Sequence, residues 1–193
     1  MPEFEQSIAV FPWLRLIRVC FGLLAASKVD LLAATRISLR VWPNDLDVNL
    51  HVNNGRYLAL ADIGRIHWFV RTGALAVARR HNAFPVVGDA IAKFRRDLRP
   101  FEKFEIHTRL LGWDHRWGFI EHRFMRRNRV IGVVLIRGIF KGPDGVLDPG
   151  VLLMGLSHAA PSPPLPEWVN SFQQSSELLS DMLRGEERSQ GLR

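Results

Sequence analysis

The residues best suited to chemistry lie together in one stretch, Pro43 to Tyr57, PNDLDVNLHVNNGRY. It holds Asp45, Asp47, His51 and Tyr57, interleaved with Asn44, Asn49, Asn53 and Asn54. A carboxylate placed beside a carbonyl can attack it or activate a water molecule against it. The first amides of a helix have no intrahelical acceptor and carry partial positive charge. They can therefore hold an anion, including the oxyanion of acyl transfer. Aspartate and asparagine are also favoured in ordinary turns and caps, so composition alone leaves a purely structural reading open.

Two elements must position this stretch. Residues 36–42, RISLRVW, alternate as a strand does, and Pro43 and Asn44 break it. Asn53 or Asn54 can cap a helix running to Thr72, with Leu58, Ala61, Ile66 and Phe69 at helical spacing and Gly73 at its end. Strands are expected at 85–98, 103–113, 116–127 and 129–141, the last two as a hairpin around Arg127-Asn128-Arg129. The final one, VIGVVLIRGIF within 129–141, is apolar on both faces and belongs inside a sheet. One long helix followed by four strands predicts an α+β fold with a sheet wrapped around a helix.

Three regions follow: an apolar amino-terminal helical segment (1–34), the central domain (35–156), and a carboxy-terminal region (157–193). The last joins a Pro-rich linker, SHAAPSPPLP, to an amphipathic helix from Leu165 to Leu183, with nine frayed residues after it. In the first, Pro12 leaves about 14 residues for a helix, or about 21 Å, short of a bilayer core of about 30 Å. Arg15 and Arg18 share one of its faces in this reading. Residues 8–26 are expected to lie on a membrane surface or to pack on the domain.

Cys20 is the only cysteine, read as an inert buried residue; it excludes an internal disulfide and multi-cysteine metal sites. His67, His81, His107, His115, His122 and His158 have no metal-ligand spacing, so no metal is expected. The net charge is +7, and residues 36–156 hold 20 basic against 11 acidic residues. That cationic body suits an anionic ligand. No zinc-finger, aromatic RNA-binding or basic-zipper pattern is present, and no nucleic-acid partner is expected. Arg126, Arg127 and Arg129 at the hairpin tip are candidate phosphate ligands.

The pattern Asp45-x-Asp47-x-x-x-His51-x-Asn53-Asn54-x-x-Tyr57, with GWDxxW at 112–117, resembles the hotdog-fold acyl-CoA thioesterases of the 4-hydroxybenzoyl-CoA thioesterase-like group. The text FRRDLRPFEKFEIHTRLLGWDHRWGFIEHRF further resembles the subgroup that includes thioesterase superfamily member six and its bacterial relatives. The resemblance covers about residues 13–170. It implies a hotdog fold, a long helix wrapped by an antiparallel sheet, here with helical appendages at both ends. It implies a homodimer, or a dimer of dimers, with two active sites at the subunit interface. It implies hydrolysis of acyl-CoA to a free acid and coenzyme A, the latter being substrate and not cofactor. Asp47 matches the family's catalytic carboxylate, nucleophile or general base. His51 and Asn53 would position substrate or water, and amides around Asn53, Asn54 and Gly55 would polarise the carbonyl, with Tyr57 nearby on the substrate. Asp45 would be structural. Many relatives have glycine where this chain has Leu50. The alternative is a non-catalytic hotdog module that binds acyl-CoA or lipid at a membrane. A cytoplasmic location, with or without membrane association, is the matching expectation.

Overall fold

The computed structural model describes residues 12–23 and 26–191. An amino-terminal helix α1 (Trp13–Leu23) precedes strand β1 (Thr35–Arg40) and a single 3-10 turn (Pro43–Asp45). Then come the long helix α2 (Asn54–Thr72), the short α3 (Ala74–Arg80), and strands β2 (Phe84–Phe94), β3 (Lys103–Trp113), β4 (Gly118–Arg126) and β5 (Arg129–Gly142). A two-residue strand β6 (Gly145–Val146), a short helix α4 (Pro149–Gly155) and a long helix α5 (Glu167–Ser189) complete the chain.

The strands form one antiparallel sheet in the order β1-β3-β4-β5-β2, with β6 on β5. Its concave face wraps α2, as the alternation of β1 and the helical spacing of α2 predict. Leu60, Ala61 and Ile63 of α2 meet Ile37, Leu39, Phe104, Ile106, Phe124 and Val134 in the main core. Gly64 permits the close approach of helix and sheet, since a Cβ there would lie 2.6 Å from Thr108 Oγ1. The convex face is covered by α5, where Val169 and Phe172 pack on Leu111, Phe119 and Leu135. β5 is therefore covered on both faces and flanked on both edges, as its apolar run requires.

Several expectations are corrected. Strand β2 ends at Phe94, not 98, and 95–98 turns away to carry Asp97. Helix α5 continues to Ser189 through the stretch expected to fray. Helices α3 and α4 were not anticipated, being only seven residues each. Arg15 and Arg18, expected on one face of the helix, meet different surroundings. Arg15 is buried and Arg18 exposed, while Leu14, Ile17 and Phe21 of the same helix point outward. The buried carboxylate of Asp45 sets this orientation. Cys20 is exposed, because that rotation of α1 turns it away from the core.

Two histidines are held neutral inside the fold. His122, with Nδ1 2.9 Å from Thr108 Oγ1, is pushed down to about 3 by burial and, second, by Arg65. His67 is pushed down to about 4 by burial and by Arg71. Their folded pKa values lie below the unfolded value of 6.5, so the unfolded chain takes up protons first as pH falls. Their contribution is complete above pH 6.5 and is lost on the way down toward pH 4 and 3. Each contributes a slope of up to about 1.4 kcal/mol per pH unit in that window. Urea unfolding between pH 7 and 5 should show the decline, and His122→Asn should flatten it. An unchanged slope in that variant would mean that His122 titrates normally.

Candidate active site

The segment between β1 and α2 folds into a tight loop held at its neck by a bridge between Leu46 and Val52. Asp47 N–H donates to His51 O at 2.8 Å, and Leu50 N–H to Asp47 O at 3.1 Å. Asp47 Oδ1 accepts from Asn49 N–H at 2.8 Å and from His51 N–H at 3.4 Å. One carboxylate oxygen is thus anchored by its own loop. The other, Oδ2, has no partner among the described residues, and the side chain is only half-buried. Leu50 takes φ +57° to complete this turn. A leucine in that left-handed region costs about 1–2 kcal/mol, which explains the glycine expected there in relatives.

The loop is aligned from beneath. Asp45 is fully buried; it accepts from Arg15 Nη1 at 2.8 Å and Nη2 at 2.5 Å, from Arg56 Nε at 3.3 Å, and from Trp42 N–H at 2.8 Å. Its carbonyl accepts Asn53 N–H at 2.8 Å, so the structural role expected of Asp45 is what the geometry gives it. Val52 N–H donates to Leu98 O at 3.0 Å and docks the loop on the segment after β2.

Asn53 is the cap of α2, its Oδ1 accepting from Gly55 N–H at 2.8 Å. The Gly55 amide is therefore already occupied. The Asn54 amide, in the first position of the helix, has no acceptor among the described residues and is the donor best placed for an anion. Tyr57 lies in the first turn of α2. It is buried between Phe94 and Phe124, at centroid distances of 5.0 and 4.8 Å, and its hydroxyl is pushed up to about 12, chiefly by burial.

Sequence reasoning missed Asp97. His51 Nε2 lies 3.4 Å from Asp97 Oδ2, and both side chains are partly open to solvent. Arg99 Nε donates to the same carboxylate at 3.1 Å and is the main cause holding it below the usual range. His51 is thereby oriented by a carboxylate 46 positions away, which no local motif reveals. Arg126 is likewise engaged, donating to Glu102 Oε2 at 2.5 Å and to Asp97 O at 3.1 Å. Arg127 and Asn128 form the hairpin turn, both with positive φ (47° and 62°). Arg127 and Arg129 remain exposed at its tip.

A second feature lies at the far end of α2. An apolar cavity of about 80 Å³ is walled by Trp68 and Phe69 of α2, Ile120, Ile136 and Phe140 of the sheet, and Leu153 of α4. From Asn54 to Trp68 along the helix is about 21 Å.

The thioesterase-like superfamily profile matches residues 41–172, from the end of β1 into α5. The chain belongs to this superfamily. It is 34% identical over 161 residues to Protein THEM6 of Xenopus laevis, covering 81% of this chain and 75% of that one. Against thioesterase poxG of Penicillium oxalicum it is 30% identical over 96 residues, 42% of this chain and 32% of the fungal protein. Among solved structures, the probable thioesterase YbaW of Escherichia coli superposes with a TM-score of 0.59 at 22% identity, covering 63% of this chain and 95% of that one. 4-Hydroxybenzoyl-CoA thioesterase in complex with 4-hydroxybenzoyl-CoA gives 0.57 at 12% identity, covering 64% and 97%. These likenesses fix the hotdog fold, and the superfamily makes the chain a thioester hydrolase. Among the described residues no helix is long and apolar enough to cross a membrane.

Proposed function

We propose that the protein hydrolyses acyl-CoA thioesters to a free acid and coenzyme A, with Asp47 as the reacting carboxylate. The observation that carries this reading is Asp47 itself, anchored through one oxygen and open at the other, immediately ahead of the amide-rich start of α2. As general base, Asp47 takes a proton from water while the water oxygen attacks the thioester carbonyl. The oxyanion that forms is held by the Asn54 amide. The C–S bond then breaks, and the departing thiolate recovers the proton from Asp47. As nucleophile, Asp47 would attack the carbonyl and break the C–S bond, releasing coenzyme A as thiolate and leaving a mixed anhydride; water then opens the anhydride to the free acid and the Asp47 carboxylate, and its proton goes to the thiolate. His51, steadied by Asp97, and Asn53, as cap, position the loop and the attacking water. The exposed Arg127 and Arg129 are suited to the phosphates of coenzyme A; Arg126, tied to Glu102, is suited to holding the hairpin.

The reading includes a homodimer. Among the described residues strand β2 is a free edge with exposed Phe84, Val87, Ile91 and Phe94, an apolar edge that favours pairing with another chain. Antiparallel pairing of two such strands sets the Val86 end of one copy, which borders its cavity, toward the Asp97 end of the other. A carboxylate from one subunit then serves the cavity of its partner, which removes the separation of about 21 Å within one chain. Light scattering should give a dimer, and Ile91→Lys should shift it to monomer with activity lost. A monomeric wild type that is fully active would overturn this part.

Release of free thiol from a panel of acyl-CoA esters tests the whole reading. Tight binding with no product after long incubation would leave the alternative, a silent acyl-CoA or lipid binding module, to which Leu50 in place of glycine lends some support. Peripheral membrane contact through residues 8–26 is a separate matter, supported by the outward Trp13, Leu14, Ile17 and Phe21. Residues 8–11, 24 and 25 lie outside the described residues. Co-sedimentation with anionic vesicles checks it, and equal recovery in the supernatant with and without vesicles would refute it.

A further inference from the structure

The cavity beneath α4 is apolar almost throughout, yet two of its wall residues keep a donor unused. Arg65 gives Nη2 to Asp62 Oδ1 at 2.7 Å, but its Nη1 is buried with no acceptor among the described residues. Trp68, 2% exposed, likewise leaves Nε1 buried and unpaired. These residues are three apart on α2 and so lie on one side of the helix. An unmet buried donor costs about 1–3 kcal/mol, and more for a charged group. An apolar site built only for plain hydrocarbon gains nothing from carrying that cost. The wall offers nothing to compensate, since the neighbouring side chains, Phe69, Ile120, Ile136, Phe140 and Leu153, have no acceptor.

We propose that this cavity receives an acyl chain bearing an oxygen function away from the thioester, a hydroxyl, carbonyl or carboxylate that accepts from Arg65 Nη1 and Trp68 Nε1. The inference rests on the thioesterase reading for the head of the ligand, and extends it to a substrate class, oxygenated acyl groups. The chain occupies the apolar walls, and the oxygen answers the two donors. Helix α4, which has no fully buried residue, forms the outer wall through Leu152 and Leu153 and is the element that gives way as the chain enters.

Non-hydrolysable thioethers test this independently of turnover. S-decyl-CoA and a set of its hydroxy-, keto- and carboxy-substituted analogues are titrated into the full-length protein by calorimetry. At least one substituted analogue should bind about tenfold or more tightly than S-decyl-CoA, as expected for one hydrogen bond to a charged group. Arg65→Met should bring that ratio close to one while S-decyl-CoA binds as before. Trp68→Phe, which keeps the ring packing, should narrow the ratio and serves if Arg65→Met does not fold. Leu152→Trp, filling the cavity, should weaken every analogue. Equal affinities in the wild type, or a ratio preserved in both donor variants, would overturn the proposal. Absence of thiol release from true thioesters would count against the hydrolase reading alone, because these thioethers bind without reacting.

Discussion

Asp47→Asn should lower turnover of any accepted acyl-CoA by about 10²–10⁴-fold while leaving the unfolding midpoint nearly unchanged. The two halves of this expectation have separate causes. Asparagine keeps the oxygen that accepts from Asn49 and His51, so the loop and the left-handed Leu50 remain in place. What it lacks is basicity and nucleophilicity at the second position, where Asp47 Oδ2 is free. Asp97→Asn is the control: it removes the partner of His51 and should cost far less, since Asp97 touches the ring and not the reacting carbonyl. A thiol-release assay under saturating substrate, with circular dichroism of both variants, makes the comparison. Asp47→Asn with activity within threefold of wild type would move the chemistry to another residue.

The largest effect on stability is expected from Asp45→Asn, about 3–5 kcal/mol by urea unfolding. Asp45 is wholly enclosed and faces Arg15 and Arg56, whose side chains are only 9% and 11% exposed. Removing its charge leaves two largely buried guanidinium groups without their shared carboxylate, and that penalty exceeds the worth of the pairs themselves. Against a typical total of about 5–15 kcal/mol this is a large fraction. The double variant Arg15→Met with Asp45→Asn should recover part of the loss, because the buried charge of Arg15 goes with that of Asp45. A loss below about 1 kcal/mol in the single variant would show that water reaches these arginines.

What could be read from the sequence was what is local in it. The candidate site from Asp45 to Asn54 is consecutive, and a strand that ends at Arg40 and a helix capped by Asn53 and closed by Gly73 leave it little freedom. The β4–β5 hairpin announces itself through Arg127-Asn128, and the all-apolar β5 through having no side to show to water. The rest depends on residues far apart in the chain. Asp97 reaches His51 only because Val52 docks on Leu98. Tyr57 closes the motif, but its packing between Phe94 and Phe124 depends on residues far along the chain. The inward turn of Arg15 could not be seen without the depth of Asp45, 30 positions later, and Cys20 was misplaced for the same reason. The cavity draws its wall from α2, the sheet and α4, and no spacing encodes it.

The first helix leaves Arg18, Leu14, Ile17 and Phe21 exposed and turns Arg15 inward. Its guanidinium grips a carboxylate two positions ahead of Asp47 and also donates to Arg40 O at 2.9 Å. Helix α1 and the turn that carries Asp47 are therefore joined through the buried Arg15–Asp45 ion pair. The outward Leu14 and Phe21 lie on that same helix, so a surface meeting them would meet an element tied to the candidate catalytic loop.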